Sequence, residues 1–195
     1  MVPIFEQGKG QGIGHTFDTF LNRFIEICEQ HLDTGRAKAF AFILYNFHDK
    51  ATRQVLHDQG GFAHLDRLSG PNLSIFYLHS ANKKQLKGFN DVFLDVFDIP
   101  TNRTLPFVLF FKMAIRDAKD IEIVELDQSN LMFAFNELYT IIEDYIRKLN
   151  SNQTSTVNNS EKFVRFLKYV KKITGEKFIE YLIAKSGEYA GQHFL

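Results

Sequence analysis

The chain has 195 residues, 45% of them hydrophobic and 14% aromatic, with 23 basic and 23 acidic side chains and zero formal net charge. That length suits one domain with appendages, and the apolar share can build a packed core, which excludes wholesale disorder. A neutral chain has no global field to gather nucleic acid or an anionic membrane, and a single cysteine excludes an internal disulfide.

Phenylalanine is heavily used (21 residues) and tryptophan is absent. Phe fills cores without a polar handle, so the bias speaks to packing. Charge is uneven: residues 91–150 hold eleven acidic and six basic side chains, whereas 160–195 hold four acidic and seven basic. That imbalance would let the tail dock on the body. The segment Met1–Gln7 has neither a basic n-region nor a long apolar stretch, so no signal peptide is expected. No run approaches the roughly 18 apolar residues of a membrane-spanning helix, and cytoplasmic residence is the expectation.

Glycines alternate at Gly8, Gly10, Gly12 and Gly14, and residues 1–14 read as a flexible leader. The leader fails the phosphate-loop pattern, since no Gly-Lys-Ser/Thr closes it and no strand is expected before it. Thr16 is the expected N-cap of a helix to about Asp33. That helix would carry Phe17, Phe20, Leu21, Phe24, Ile25, Cys28 and Leu32 on one face, with Cys28 a buried, inert thiol.

The near-continuous apolar run at 39–47 predicts a central strand covered on both faces. Helices are expected at 49–58 and 61–68, split at Gly60-Gly61, and a second strand at 73–79 after the turn Ser69-Gly70-Pro71-Asn72. Strand, helix, strand at this spacing is a βαβ unit, which implies parallel strands. A helix from Asn82 to Phe97 comes next, with Leu86, Phe89, Val92, Phe93 and Val96 inward. Strands at 107–112 and 121–126 are joined too briefly for a parallel crossover, so an antiparallel hairpin is predicted. A helix from Ser129 to Lys148 follows. Residues 150–159 are almost wholly polar and read as a linker, and 160–195 as a helical extension with two pieces meeting near Gly175.

The stretch Thr104-Leu105-Pro106, a proline opening the apolar strand from Phe107 to Lys112, resembles the cis-proline loop of the thioredoxin-like superfamily. The order of elements over about residues 15–149 is similar to that fold as well. The resemblance implies a thioredoxin-like α/β domain, a mixed four-stranded sheet sandwiched by helices, here followed by the C-terminal helical extension. It also implies a cis Leu105–Pro106 bond facing the family's working surface. The family's redox chemistry needs a cysteine where its first strand passes into a helix, a place that favours the thiolate. Here that junction reads Phe47-His48-Asp49-Lys50-Ala51-Thr52-Arg53-Gln54 and holds no sulfur. Disulfide exchange is therefore not expected, and no catalytic residue is nominated.

What remains is a candidate binding surface made of His48, Asp49, Arg53, Thr104, Leu105 and Pro106. The first reading is a non-redox module recognising a protein partner. The alternative is a cysteine-independent enzyme or small-ligand binder, taking an anionic or glutathione-like molecule at the free N–H groups of the helix start. Asp49 as a plain N-cap, with His48 and Arg53 solvated, is the ordinary alternative for those three side chains. No cofactor or metal is expected: His57, His64 and His79 fit no zinc motif and read as independent side chains, and no Gly-x-Ser-x-Gly elbow is present. The basic, Phe-striped helices beyond 160 would pack on the domain or on a second copy, which makes a homodimer a further expectation.

Overall fold

The computed structural model describes residues 2–5, 15–16, 39–70, 73–80, 82–113, 118–127 and 133–151. In chain order these form β1 (Val2–Phe5), β2 (His15–Thr16), β3 (Ala39–Leu44), α1 (Lys50–His57), α2 (Gln59–Ser69) and β4 (Leu73–His79). Then come α3 (Lys83–Val96), β5 (Phe107–Met113), β6 (Ala118–Glu125) and α4 (Ala134–Asn150). The fold is α/β. Its sheet runs β2-β1-β4-β3-β5-β6, with β2, β1, β4 and β3 parallel and β5 antiparallel to both its neighbours, β3 and β6.

The four strands read from the sequence are all present as the mixed set β4-β3-β5-β6. One expectation needs correcting. Val2–Phe5 is not leader but a strand, paired in register with β4 from Val2↔Phe76 to Phe5↔His79. Thr16 stands in β2, paired with Phe5. Residues 6–14, the helix expected beyond Thr16 with Cys28, the linker after Ser151 and the C-terminal extension lie outside the described residues.

Strand alternation sorts the core. Phe40, Phe42, Phe76 and Phe111 share one face, where Phe42 meets Phe89 and Phe93 of α3 at ring-centroid distances of 6.2 and 4.1 Å. On the other face Phe110 stacks on Tyr145 of α4 at 4.0 Å, and Tyr77 reaches the end of α1. Each face thus buries its own period-two set, as a sheet covered on both sides requires. Helices α1, α2 and α4 pack together. Their approach is close at Gly61, where a Cβ would stand 3.3 Å from both the Val55 carbonyl and the Asp58 carboxylate. Asp58 caps α2 there, accepting from the Gly60 and Gly61 N–H groups. Gly70 ends the same helix at φ +52°, a conformation that favours glycine.

Strand β6 begins earlier than its apolar pattern indicates, at Ala118. The register slips between Phe110 and Lys112, and Asp120 takes φ 51° at the bulge. Its carboxylate meets Lys112 Nζ at 2.8 Å. Among the described residues no helix is long and apolar enough to cross a membrane.

Candidate functional site

The pairing Leu44↔Phe107 fixes where the two candidate loops lie. Because β5 runs against β3, the residues leaving β3 (Tyr45 to Asp49) and those entering β5 (Thr104 to Pro106) emerge at one edge of the sheet. The parallel strands β3 and β4 end at that same edge, and α1 and α3 begin there. Open α/β sheets commonly bind ligands in this position.

The Leu105–Pro106 peptide bond is cis. Pro106 is buried, Leu105 half-buried and Thr104 exposed. The Pro106 carbonyl accepts from Leu126 N–H at 3.0 Å, which ties the loop to the exit of β6. Beside it, Arg103 donates to Glu125 Oε1 at 3.0 Å and lies over the Phe107 ring.

Asp49 occupies the N-cap position of α1 but makes no side-chain cap bond. It turns backward instead and accepts from Asn46 N–H, while its own N–H donates to the Asn46 carbonyl at 3.1 Å. Burial raises the Asp49 carboxyl above its ordinary value, against the Asn46 hydrogen bond and the His48 charge, which lower it. The plain N-cap expected from the sequence is therefore replaced by a reciprocal turn. Arg53 folds inward too. Its Nη1 donates to the Phe47 carbonyl at 2.9 Å, and its guanidinium sits 4.3 Å from the Phe47 ring centroid. Its Nε is buried without a hydrogen-bond partner. His48 stays exposed, with Nε2 3.3 Å from Lys83 Nζ at the start of α3. The six candidates thus share one edge, but the Asp49 and Arg53 side chains bind the chain itself rather than projecting from it.

The edge is braced from beneath by groups that apolar patterning did not single out. Tyr45 donates its hydroxyl to the Leu78 carbonyl, and Asn90 of α3 donates Nδ2 to the Tyr45 carbonyl at 2.9 Å. Ser80 accepts from Asn82 N–H at 3.0 Å and donates to Gln85, while Asn82 caps α3 through the Lys84 and Gln85 N–H groups. Burial raises the Tyr45 phenol far above its usual value, so it stays neutral and donates.

Comparison with protein-family models, curated proteins and solved structures finds no match. The site must speak through its own chemistry.

The histidines depart from expectation. His57, closing α1, and His79, closing β4, stack face to face at 3.7 Å with ring planes 8° apart. They are not independent. His57 is exposed as a residue, yet one ring face is covered. Desolvation of that face lowers its pKa to about 4, with the charges of His79 and Arg53 acting in the same direction. His79 is lowered by burial first and then by Arg53. Parallel stacked imidazoles do not aim their in-plane nitrogens at a common point, and His64 packs elsewhere, edge-on to Phe135. Among the described residues no group of three or more His, Cys, Asp or Glu could hold a metal ion. The only available signal was positional: both histidines end elements that a βαβ unit brings together.

Proposed function

We propose that this chain is a thioredoxin-like module without redox chemistry, and that it binds a protein partner at the edge formed by the β3–α1 junction and the Thr104–Pro106 loop. Support comes from the element order, from a strand order in which β4, β3, β5 and β6 are adjacent, and from Pro106 at the entry of β5. The Leu44↔Phe107 pairing carries the reading, because it brings a sulfur-free junction and the proline loop to the same edge. Thiol catalysis needs a thiolate there, and Phe47 to Gln54 supply none. With Asp49 and Arg53 turned inward, His48 and Thr104 are left exposed with Leu105 half-buried beside them, a mixed polar and apolar set that suits a peptide chain better than a small anion. One observation favours an anionic or glutathione-like ligand instead: the buried Arg53 Nε lacks a partner.

A photo-crosslinking side chain placed at Leu105 tests the reading. It should form a protein adduct that excess wild-type protein competes away and that His48→Glu weakens, while the same probe at exposed Asn136 of α4 should form none. Adducts of equal yield from both positions would overturn the partner reading. Saturable glutathione binding abolished by Arg53→Gln would favour the alternative. In an insulin-reduction assay the protein should show no turnover, and turnover surviving Cys28→Ser would end the non-redox reading.

A further inference from the structure

Acidic and basic side chains are not mixed evenly along the candidate edge. Building on the partner reading, we propose that its β3–β4 half docks an acidic segment of the partner protein. The carboxylates of that segment meet Lys50, Lys83 and Lys84, beside the apolar Leu105.

The segments leaving β3 and β4, residues 45–54 and 80–88, carry five basic side chains (Lys50, Arg53, Lys83, Lys84 and Lys87) and one acidic, Asp49. The chain as a whole is neutral, so this is a local concentration of charge. The two segments touch: Lys83 Nζ stands 3.3 Å from His48 Nε2, which joins the start of α3 to the start of α1. Some of the charge is already engaged. Arg53 is folded over Phe47, Lys87 pairs with Asp91, and Asp49 accepts from Asn46. Further carboxylates lie on the β6 half of the edge, where Arg103 holds Glu125 and Asp127 follows. Lys50, Lys83 and Lys84 are exposed, and among the described residues no carboxylate pairs with any of them.

These lysines do not serve the helices that carry them. A helix start favours acidic side chains, yet neither α1 nor α3 has one in its first turn, and lysines stand there instead. The cap of α3 is Asn82, a neutral side chain. Lysines set against the helix dipole cost a little stability, and an incoming carboxylate offsets that cost.

The surroundings of the lysines select the occupant. Lysine presents a point charge without the two-pronged fork by which arginine fixes a phosphate or a lone carboxylate in one orientation. A small anion would draw on few of these cations at once. A chain bearing several carboxylates meets those of both helices and still lays an apolar side chain against Leu105. Nucleic acid fits less well. Phe47, a ring that could stack on a base, is covered by Arg53, and a neutral chain lacks the wide basic field that gathers a phosphate backbone.

The test uses the full chain and a fluorescent peptide of Glu-Gly-Leu repeats, with a Gln-Gly-Leu peptide and a single-stranded RNA oligonucleotide as counterparts. The Glu peptide should bind saturably, weaken as salt is raised, and shift the NMR signals of His48, Lys50, Lys83, Lys84 and Leu105. Lys83→Glu combined with Lys84→Glu should weaken it about tenfold, and both changes suit a helix start, so the fold is kept. Lys119→Glu, which alters an exposed cation at the opposite end of the sheet, should leave the affinity within about twofold. No saturable binding of the Glu peptide, or binding no tighter than that of the Gln peptide, would overturn the acidic assignment. Equal weakening by Lys119→Glu, or tighter binding of RNA at the same residues, would overturn it as well. The crosslink at Leu105 separates this failure from that of the partner reading. An adduct undiminished by the two lysine changes ends the acidic assignment alone, whereas adducts that do not depend on position end both.

Discussion

The two faces of the sheet are built from the same strands but solve burial differently. Under α3 the packing is phenylalanine on phenylalanine, with Phe42 touching Phe76, Phe89, Phe93, Phe97 and Phe111. Under α1 and α4 the large side chains include Tyr77 and Tyr145, which bring hydroxyls into the interior. The difference teaches where chemistry can reside. A cluster of Phe rings gains stability from area and dispersion, and the rings themselves offer no polar group to a ligand. A face holding buried hydroxyls must find each one a partner or bear the cost of leaving it unmet.

Truncation on the phenylalanine face should have the largest effect. Phe42 is fully buried at the centre of its cluster, so Phe42→Ala should cost about 3–5 kcal/mol, read from urea unfolding midpoints. A loss under about 1 kcal/mol would mean that the ring cluster is not the core of the fold.

The tyrosine face should respond by hydroxyl rather than by volume. Tyr77 donates to the Leu56 carbonyl at 3.1 Å within the core, so Tyr77→Phe should cost about 1–2 kcal/mol. Tyr145→Phe removes a buried hydroxyl that has no partner, so it should leave stability unchanged or raise it by up to about 1 kcal/mol. Equal losses in the two variants would erase the distinction between a satisfied and an unsatisfied hydroxyl.

Much of the phenylalanine face is readable from the chain, because periods of 2 and 3.6 report burial directly. The β3, β4, α3 and hairpin expectations rest on those periods, and the observed bounds fall within a few residues of them. Val2–Phe5 carries no such signal: four residues beside a glycine-rich stretch become a strand only because β4 offers a free edge. The candidate edge is legible by position and not by orientation. Sequence order puts His48, Asp49 and Pro106 near one another, but the backward turn of Asp49 onto Asn46 and the folding of Arg53 over Phe47 are rotamer choices made by tertiary neighbours. The same holds for Tyr145 and Glu122, which come to line one cleft only when α4 settles on the hairpin.

The smallest expected effect concerns the stacked histidines, which lie on the tyrosine face and bring the end of α1 against the end of β4. Both rings have folded-state pKa values below the ordinary 6.5. Above that pH they are neutral in both states and add no pH dependence. As pH falls through 6.5 the unfolded chain takes up protons first, so stability should decline from there toward the folded pKa values. Asp49 and Asp91 act in the opposite sense. Burial raises both above 3.8, so the folded chain binds their protons first and regains stability as pH falls through the raised values. The histidine decline therefore belongs to the upper, mildly acidic part of the range, with the carboxylates opposing it further down. Because His57 keeps an edge in water, its contribution should be shallower than that of a sealed imidazole. Imidazole proton shifts followed by NMR should give midpoints under 6.5 for both rings, and His79→Gln should flatten the stability curve just below that pH. Midpoints at or above 6.5 would mean that the rings are separately solvated and that α1 is held to β4 by Tyr77 and the apolar contacts alone.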